Sequence, residues 1–185
     1  MQFELNYESN LIKLYNDIIS GNYQVGKSIA FIVQNPVKRE VFAGDFRDRI
    51  VHHLIVNKLN HIFERNFIYY SYSCREGKGT LFGIKRVQKF IRSASNNYKQ
   101  DTYILKLDIS GYFMNINKDL LYKKVEKIIS NNYFLDDKDL ILSLIYKIIY
   151  NNPTKNCIIK GQKTDWVGLP KSKSLFFARS DFICI

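Results

Sequence analysis

The chain reads as an α+β protein, with helices packed on a small antiparallel sheet. Three observations predict it. Apolar residues recur every three or four positions over five separate stretches, two short apolar runs flank an Asn-Pro turn, and the 9 glycines and 3 prolines are few enough to act as punctuation. At 185 residues, with 46% hydrophobic and 24% charged, the chain can bury a core as one ordinary domain or two small ones. Disordered, collagen-like and linker-rich architectures are excluded by the same figures.

Taken in order, Phe3 to Ser20 places Leu5, Leu11, Ile12, Tyr15, Ile18 and Ile19 at loosely helical spacing and stops at Gly21, which predicts one helix. Ser28 to Val33 and Glu40 to Ala43 are strand-like runs on either side of NPVKR, so a β-hairpin with a basic tip is expected. From Asp45 a long helix should run to about Arg65, with Phe46, Ile50, Leu54, Lys58, Leu59, Ile62 and Phe63 recurring at helical spacing. Asp45 and Asp48 resemble an N-cap and its acidic partner three residues on. Ser71 to Thr80 is a glycine-containing basic loop, and Leu81 to Ile91 resumes a helix. Thr102 to Ile109 (TYILKLDI) has the composition of a strand, and Lys118 to Ile129 and Asp137 to Tyr150 read as two further helices.

Twenty-eight Lys and Arg against 17 Asp and Glu leave a net charge of +11, whose natural use is to hold a polyanion. Three widely spaced cysteines form neither a zinc pattern nor a disulfide framework, which suits a reducing compartment. The acidic, polar N-terminus lacks the pattern of a signal peptide, and the most apolar run, Leu140 to Tyr150, is interrupted by Ser143 and Lys147. A cytoplasmic protein with no membrane segment is the expectation.

Asp108, near the end of the strand-like run, is followed at once by a turn at Ser110-Gly111 and by Tyr112 and Phe113. Such a carboxylate can ligate a hard divalent cation, and it can equally cap the turn after it. Lys38 and Arg39 at the hairpin tip, and Arg75 and Lys78 in the glycine loop, can each meet phosphate or form a solvated basic face. GKGT does not complete a P-loop. His52, His53 and His61 share one helix without an acidic or cysteine partner and read as packed or surface residues. The run Phe67 to Tyr72 can stack bases or fill a core.

Four phrases in order carry a family resemblance: KREVFAGDFRDRIVHHLIVNKL from Lys38, FIYYSYSCREGKGT from Phe67, YILKLDISGYFMNIN from Tyr103 and GLPKSKSLF from Gly168. Together they resemble the fingers and the start of the palm of a reverse transcriptase of bacterial retroelements. The likeness spans Ile29 to Phe177, and the Phe46 to His53 phrase is most like the diversity-generating group, with group II intron and retron enzymes as alternatives. It implies a right-hand polymerase-like fold with fingers over 1–101 and a partial palm over 102–185.

The resemblance further implies that Asp108 is the first palm aspartate and a ligand of catalytic Mg²⁺, with the Ile109 carbonyl beside it. Tyr112 matches the aromatic gate that selects deoxynucleotides. Arg39, helped by Lys38, matches the grip on the incoming triphosphate, while Arg47, Arg49, His52, Arg75 and Lys78 fall in the segments that hold the template. The implied partners are an RNA template, a DNA primer, deoxynucleoside triphosphates and a small basic helical accessory protein. The family's YxDD motif is not present; Phe134-Leu135-Asp136-Asp137 matches its letters but follows Asp108 too closely and leads straight into a helix. The expectation is therefore a truncated RNA-directed DNA polymerase, inactive alone, with a non-catalytic basic RNA- or DNA-binding fragment as the alternative.

Overall fold

A computed structural model of the chain describes residues 2–35, 39–109, 115–155 and 157–161. It is α+β. Six helices and three strands follow in the order α1 (Gln2–Leu5), α2 (Tyr7–Ile19), β1 (Ser28–Val33), β2 (Arg39–Ala43), α3 (Phe46–Asn66), α4 (Thr80–Ala94), α5 (Lys118–Asn132), α6 (Lys138–Tyr150) and β3 (Cys157–Ile159). The described residues form two compact units, one of residues 2–62 and 115–161, the other of residues 63–109.

In the first unit the expected hairpin is present. β1 pairs antiparallel with β2, placing Ala30 opposite Phe42 and Phe31 opposite Val41. The sheet is mixed, however, and not purely antiparallel, because β3 adds in parallel on the other side of β1, with Ser28 opposite Cys157. β3 is three residues long and follows an Asx turn in which the Asn152 side chain accepts from the Thr154 N–H. Too short to show a period, it gives no strand signal in the sequence.

The N-terminal helix is broken at Asn6, whose φ of −131° and ψ of 48° lie outside the helical region. α2 buries Leu14 and Ile18, one turn apart, and ends at Gly21, where φ is +74°. Asp45 caps α3 as expected, its carboxylate accepting from the Arg47 N–H at 2.9 Å. The buried stripe of α3 is Val51, Ile55, Leu59 and Ile62, not the Ile50 and Leu54 positions expected for its first half. Asp48 and His52 are also buried, so a carboxylate and an imidazole stand where a purely apolar pattern would be sought. α5 is capped by Asn117, which accepts from the N–H groups of Asp119 and Leu120, and it buries Val125 and Ile129. α6 buries Ile141, Leu144 and Ile145. With Tyr23, Ala30 and Phe42 these residues make the core.

The second unit is the last turn of α3, the loop from 67 to 79 and α4, followed by a non-regular segment to 109. α4 forms where helical spacing resumes, yet it buries none of its residues. The strand expected over Thr102 to Ile109 is not formed: the chain there is irregular, and Tyr103 is 94% exposed. β-branched composition supplies a propensity, but a strand also needs a neighbour to complete its hydrogen bonds, and no described strand pairs with this run.

Candidate nucleic-acid interface

Whether a cation can meet phosphate depends on what already engages it, and in each unit one expected arginine, Arg47 or Arg75, is engaged by an acid, a carbonyl and a ring. At the start of α3, Arg47 donates from Nη2 to Asp17 Oδ2 at 2.6 Å and from Nη1 to the Gln24 carbonyl at 3.2 Å. It also lies over the Tyr23 ring, 5.1 Å from its centre. Arg49 lies over the Phe46 ring at 5.5 Å. Between them Asp48 turns inward and is 1% exposed. It accepts from the Tyr23 hydroxyl at 2.7 Å and from the Gly26 N–H at 2.9 Å. Burial pushes the Asp48 carboxyl above its ordinary range, opposed by those two hydrogen bonds. The Tyr23 hydroxyl is pushed up too, by burial first and then by the adjacent carboxylate. The Arg-Asp-Arg phrase thus sets an aspartate into the core and leaves its two arginines half-buried, tied to the polypeptide around them.

In the second unit Arg75 organises the loop. Its Nε and Nη2 donate to the Glu64 carboxylate at 3.0 and 2.7 Å, while Nη1 donates to the carbonyls of Ile68 at 2.9 Å and Ser71 at 3.2 Å. This fork holds Glu64 below the usual carboxylate range. Gly77, at φ +68°, makes the turn that returns the chain toward α4, and Lys78 donates from Nζ to the Tyr69 carbonyl at 2.9 Å. Two of the cations expected to hold template, Arg75 and Lys78, are therefore engaged within the loop.

A cluster that the sequence reading did not assemble lies nearby. The Arg86 guanidinium sits 5.3 Å from the ring centres of both Tyr70 and Phe90 and 5.8 Å from that of Tyr69. Its Nη2 donates to the Tyr70 hydroxyl at 3.1 Å. The signal was half visible in the aromatic run Phe67 to Tyr72 and in the Arg86 to Phe90 spacing of one helical turn.

The remaining expected site residues are dispersed. Lys38, Tyr112 and the GLPKSKSLF phrase lie outside the described residues, and of Arg39 only the backbone is described, opposite Val33. Asp108 and Ile109 are exposed on the irregular segment. His52 is buried. Among the described residues no three His, Cys, Asp or Glu side chains converge as a cation site. One exposed carboxylate does not by itself fit a Mg²⁺ centre, which takes its other ligands from further carboxylates, substrate phosphates or water.

The YxDD-like pair has a different place. Asp137 accepts from Lys58 Nζ at 2.6 Å and from the Tyr133 hydroxyl at 2.8 Å, and the Lys58 contact holds its carboxyl below the ordinary value. These bonds join α3 to the start of α6. Among the described residues no helix is long and apolar enough to cross a membrane. No protein-family model matches the chain, and no curated protein matches it.

Proposed function

We propose that the chain is the fingers and first part of the palm of a reverse-transcriptase-like polymerase, whose parent activity adds deoxynucleotides to a DNA primer on an RNA template with Mg²⁺. The observation that carries the reading is an antiparallel hairpin feeding without insertion into a long helix that opens on Arg47-Asp48-Arg49, with Lys38 and Arg39 in the sequence that joins the two strands. The ordered phrases around it and the net charge of +11 support it. In this reading Asp108 supplies one carboxylate toward the cation, Arg39 and Lys38 meet the triphosphate, Tyr112 gates the ribose, and the start of α3 lies along the template, while Arg75 and Lys78 hold the 71–80 loop in shape and do not touch the template themselves. Phosphoryl transfer depends chiefly on positioning and charge neutralisation, so these roles require geometry more than unusual chemistry.

Nucleotide binding in the presence of Mn²⁺ tests the reading. The chain should bind deoxynucleoside triphosphate better than ribonucleotide, lose that binding in Asp108→Ala, and lose the discrimination in Tyr112→Ala. Binding indifferent to Asp108 and to the sugar would overturn it. A second reading, a basic module that holds nucleic acid without chemistry, is favoured by α4, which carries Lys85, Arg86, Lys89 and Arg92, no acidic residue and no buried face.

A further inference from the structure

The cluster around Arg86 has the makings of a binding surface in its own right. Tyr69 and Tyr70 meet edge to face at 5.1 Å, and Tyr70 and Phe90 do the same at 5.2 Å. Lys78 Nζ stands 4.1 Å above the Tyr69 ring. Despite these contacts the rings of Tyr69, Tyr70 and Phe90 belong to residues that remain 56%, 48% and 46% exposed. Core aromatics would be covered; these are held in place by a guanidinium while much of their surface stays in water. Lys85 and Lys89 are exposed on the same helix, with no acidic residue on it to neutralise them.

A partner suited to this surface must offer flat π faces and negative charge at short, regular spacing. We propose that Tyr69, Tyr70 and Phe90, ordered by Arg86, form a stacking platform for single-stranded nucleic acid. Unpaired bases lie on the exposed ring surfaces, and phosphates meet Lys85 and Lys89. A duplex offers its backbone to such a surface but keeps its bases stacked inside. An anionic membrane is the rival for any basic amphipathic helix, and it favours cations and apolar residues on opposite faces. α4 does set Lys85, Lys89 and Arg92 opposite Ile84, Val87 and Ile91, but Arg86 lies among the rings and bonds to a tyrosine hydroxyl, an arrangement that a lipid surface does not call for. The inference goes beyond the polymerase reading, since it requires neither Asp108 nor a nucleotide, and it stands if nucleotide binding fails.

Fluorescence anisotropy of the full chain decides it, using labelled oligouridylate and oligothymidylate of about 12 nucleotides, within the span one such platform occupies. A duplex of equal length and phosphatidylserine vesicles are run alongside. Replacing Tyr69 and Phe90 together by Ala should weaken single-strand binding about tenfold or more, through lost stacking. The salt dependence should hold its slope, because no cation has been removed, and duplex binding should not change. Tyr69→Phe with Phe90→Tyr keeps both rings and should keep the affinity, while Arg86→Lys keeps the charge, loses the plane and should cost severalfold. Tyr15→Ala, an exposed aromatic on α2, should leave binding as it was. Circular dichroism checks that each variant is folded. Equal losses on single strand and duplex, no loss in the double variant, or vesicle binding that outcompetes the oligonucleotides and falls in the same variant would each overturn the proposal.

Discussion

In the first unit α2, α5 and α6 each bury a stripe of apolar residues, and Tyr23, Phe42, Val51 and Ile55 complete a core around the sheet. The second unit has helical spacing of equal quality in α4, yet Leu81, Ile84, Val87 and Phe90 all stay exposed. The polar groups do not divide in this way. Lys58, Lys147 and Asp48 of the first unit are tied to side chains or carbonyls of other elements, Lys147 donating to the Gly21 and Tyr23 carbonyls at 2.8 and 2.7 Å. The second unit puts Lys78 and Arg86 against aromatic rings, as the first does Arg47 and Arg49, and Arg75 against its own loop. Periodicity therefore says that a helix has an apolar face, while its position among other elements decides whether that face is core or contact surface.

The largest test of the contrast is in packing. Phe42→Ala should cost about 3–5 kcal/mol in denaturant unfolding, because it leaves a cavity in a filled core. Leu81→Ala should stay within about 0.5 kcal/mol. Similar costs at the two positions would erase the distinction. Next comes the buried carboxylate: Asp48→Ala strands the Tyr23 hydroxyl and the Gly26 N–H without an acceptor and should cost about 3 kcal/mol. Tyr23→Phe removes one of those bonds and should cost about 1 kcal/mol. In the second unit Arg75→Lys keeps the charge but loses the fork on Glu64, Ile68 and Ser71. Limited proteolysis should then cut the 67–79 loop severalfold faster, with the first unit's protection unchanged.

Much of the fold was legible because its elements obey short-range rules. The hairpin was marked by Asn35-Pro36 between two apolar runs, α3 by Asp45 and a long helical period, and α6 by the apolar density after Asp137. What failed depends on neighbours. Thr102 to Ile109 has strand propensity and no paired strand, β3 has a partner and almost no propensity signal, and the α3 stripe was misread where Asp48 and His52 occupy buried positions. The candidate site divides likewise. Residue types suggested Arg75 and Lys78 as phosphate contacts and the family resemblance added Arg47, but only geometry shows that Asp17, Glu64 and the Tyr69 carbonyl engage them. The Arg86 cluster joins a loop to a helix, a meeting that no local window contains.

The smallest effect sharpens the comparison through pH. Asp137 is held below the ordinary carboxyl value by Lys58, so its contribution to stability is present above that ordinary value, about 4, and is lost as pH falls through the lowered one. Asp48 has the opposite sign. Burial raises its carboxyl, so the folded state holds that proton more readily, and its contribution, greatest below the ordinary value, is lost as pH rises toward the raised one. The two carboxylates pull the acid limb of the stability curve in opposite directions. Asp137→Asn should cost less than about 1 kcal/mol at neutral pH, since the pair is partly exposed. It should also remove part of the loss of stability seen on acidification, and Lys58→Met should flatten the same limb, because the proton and the lysine compete for one carboxylate. Asp48→Asn should make the acid limb steeper by removing the group that favours the acid side. Urea midpoints measured from pH 3 to 7, a range spanning the ordinary carboxyl values, distinguish these outcomes. An unchanged acid limb in both Asp137→Asn and Lys58→Met would mean that the ion pair joining α3 and α6 carries no stability, and that packing alone separates the two units.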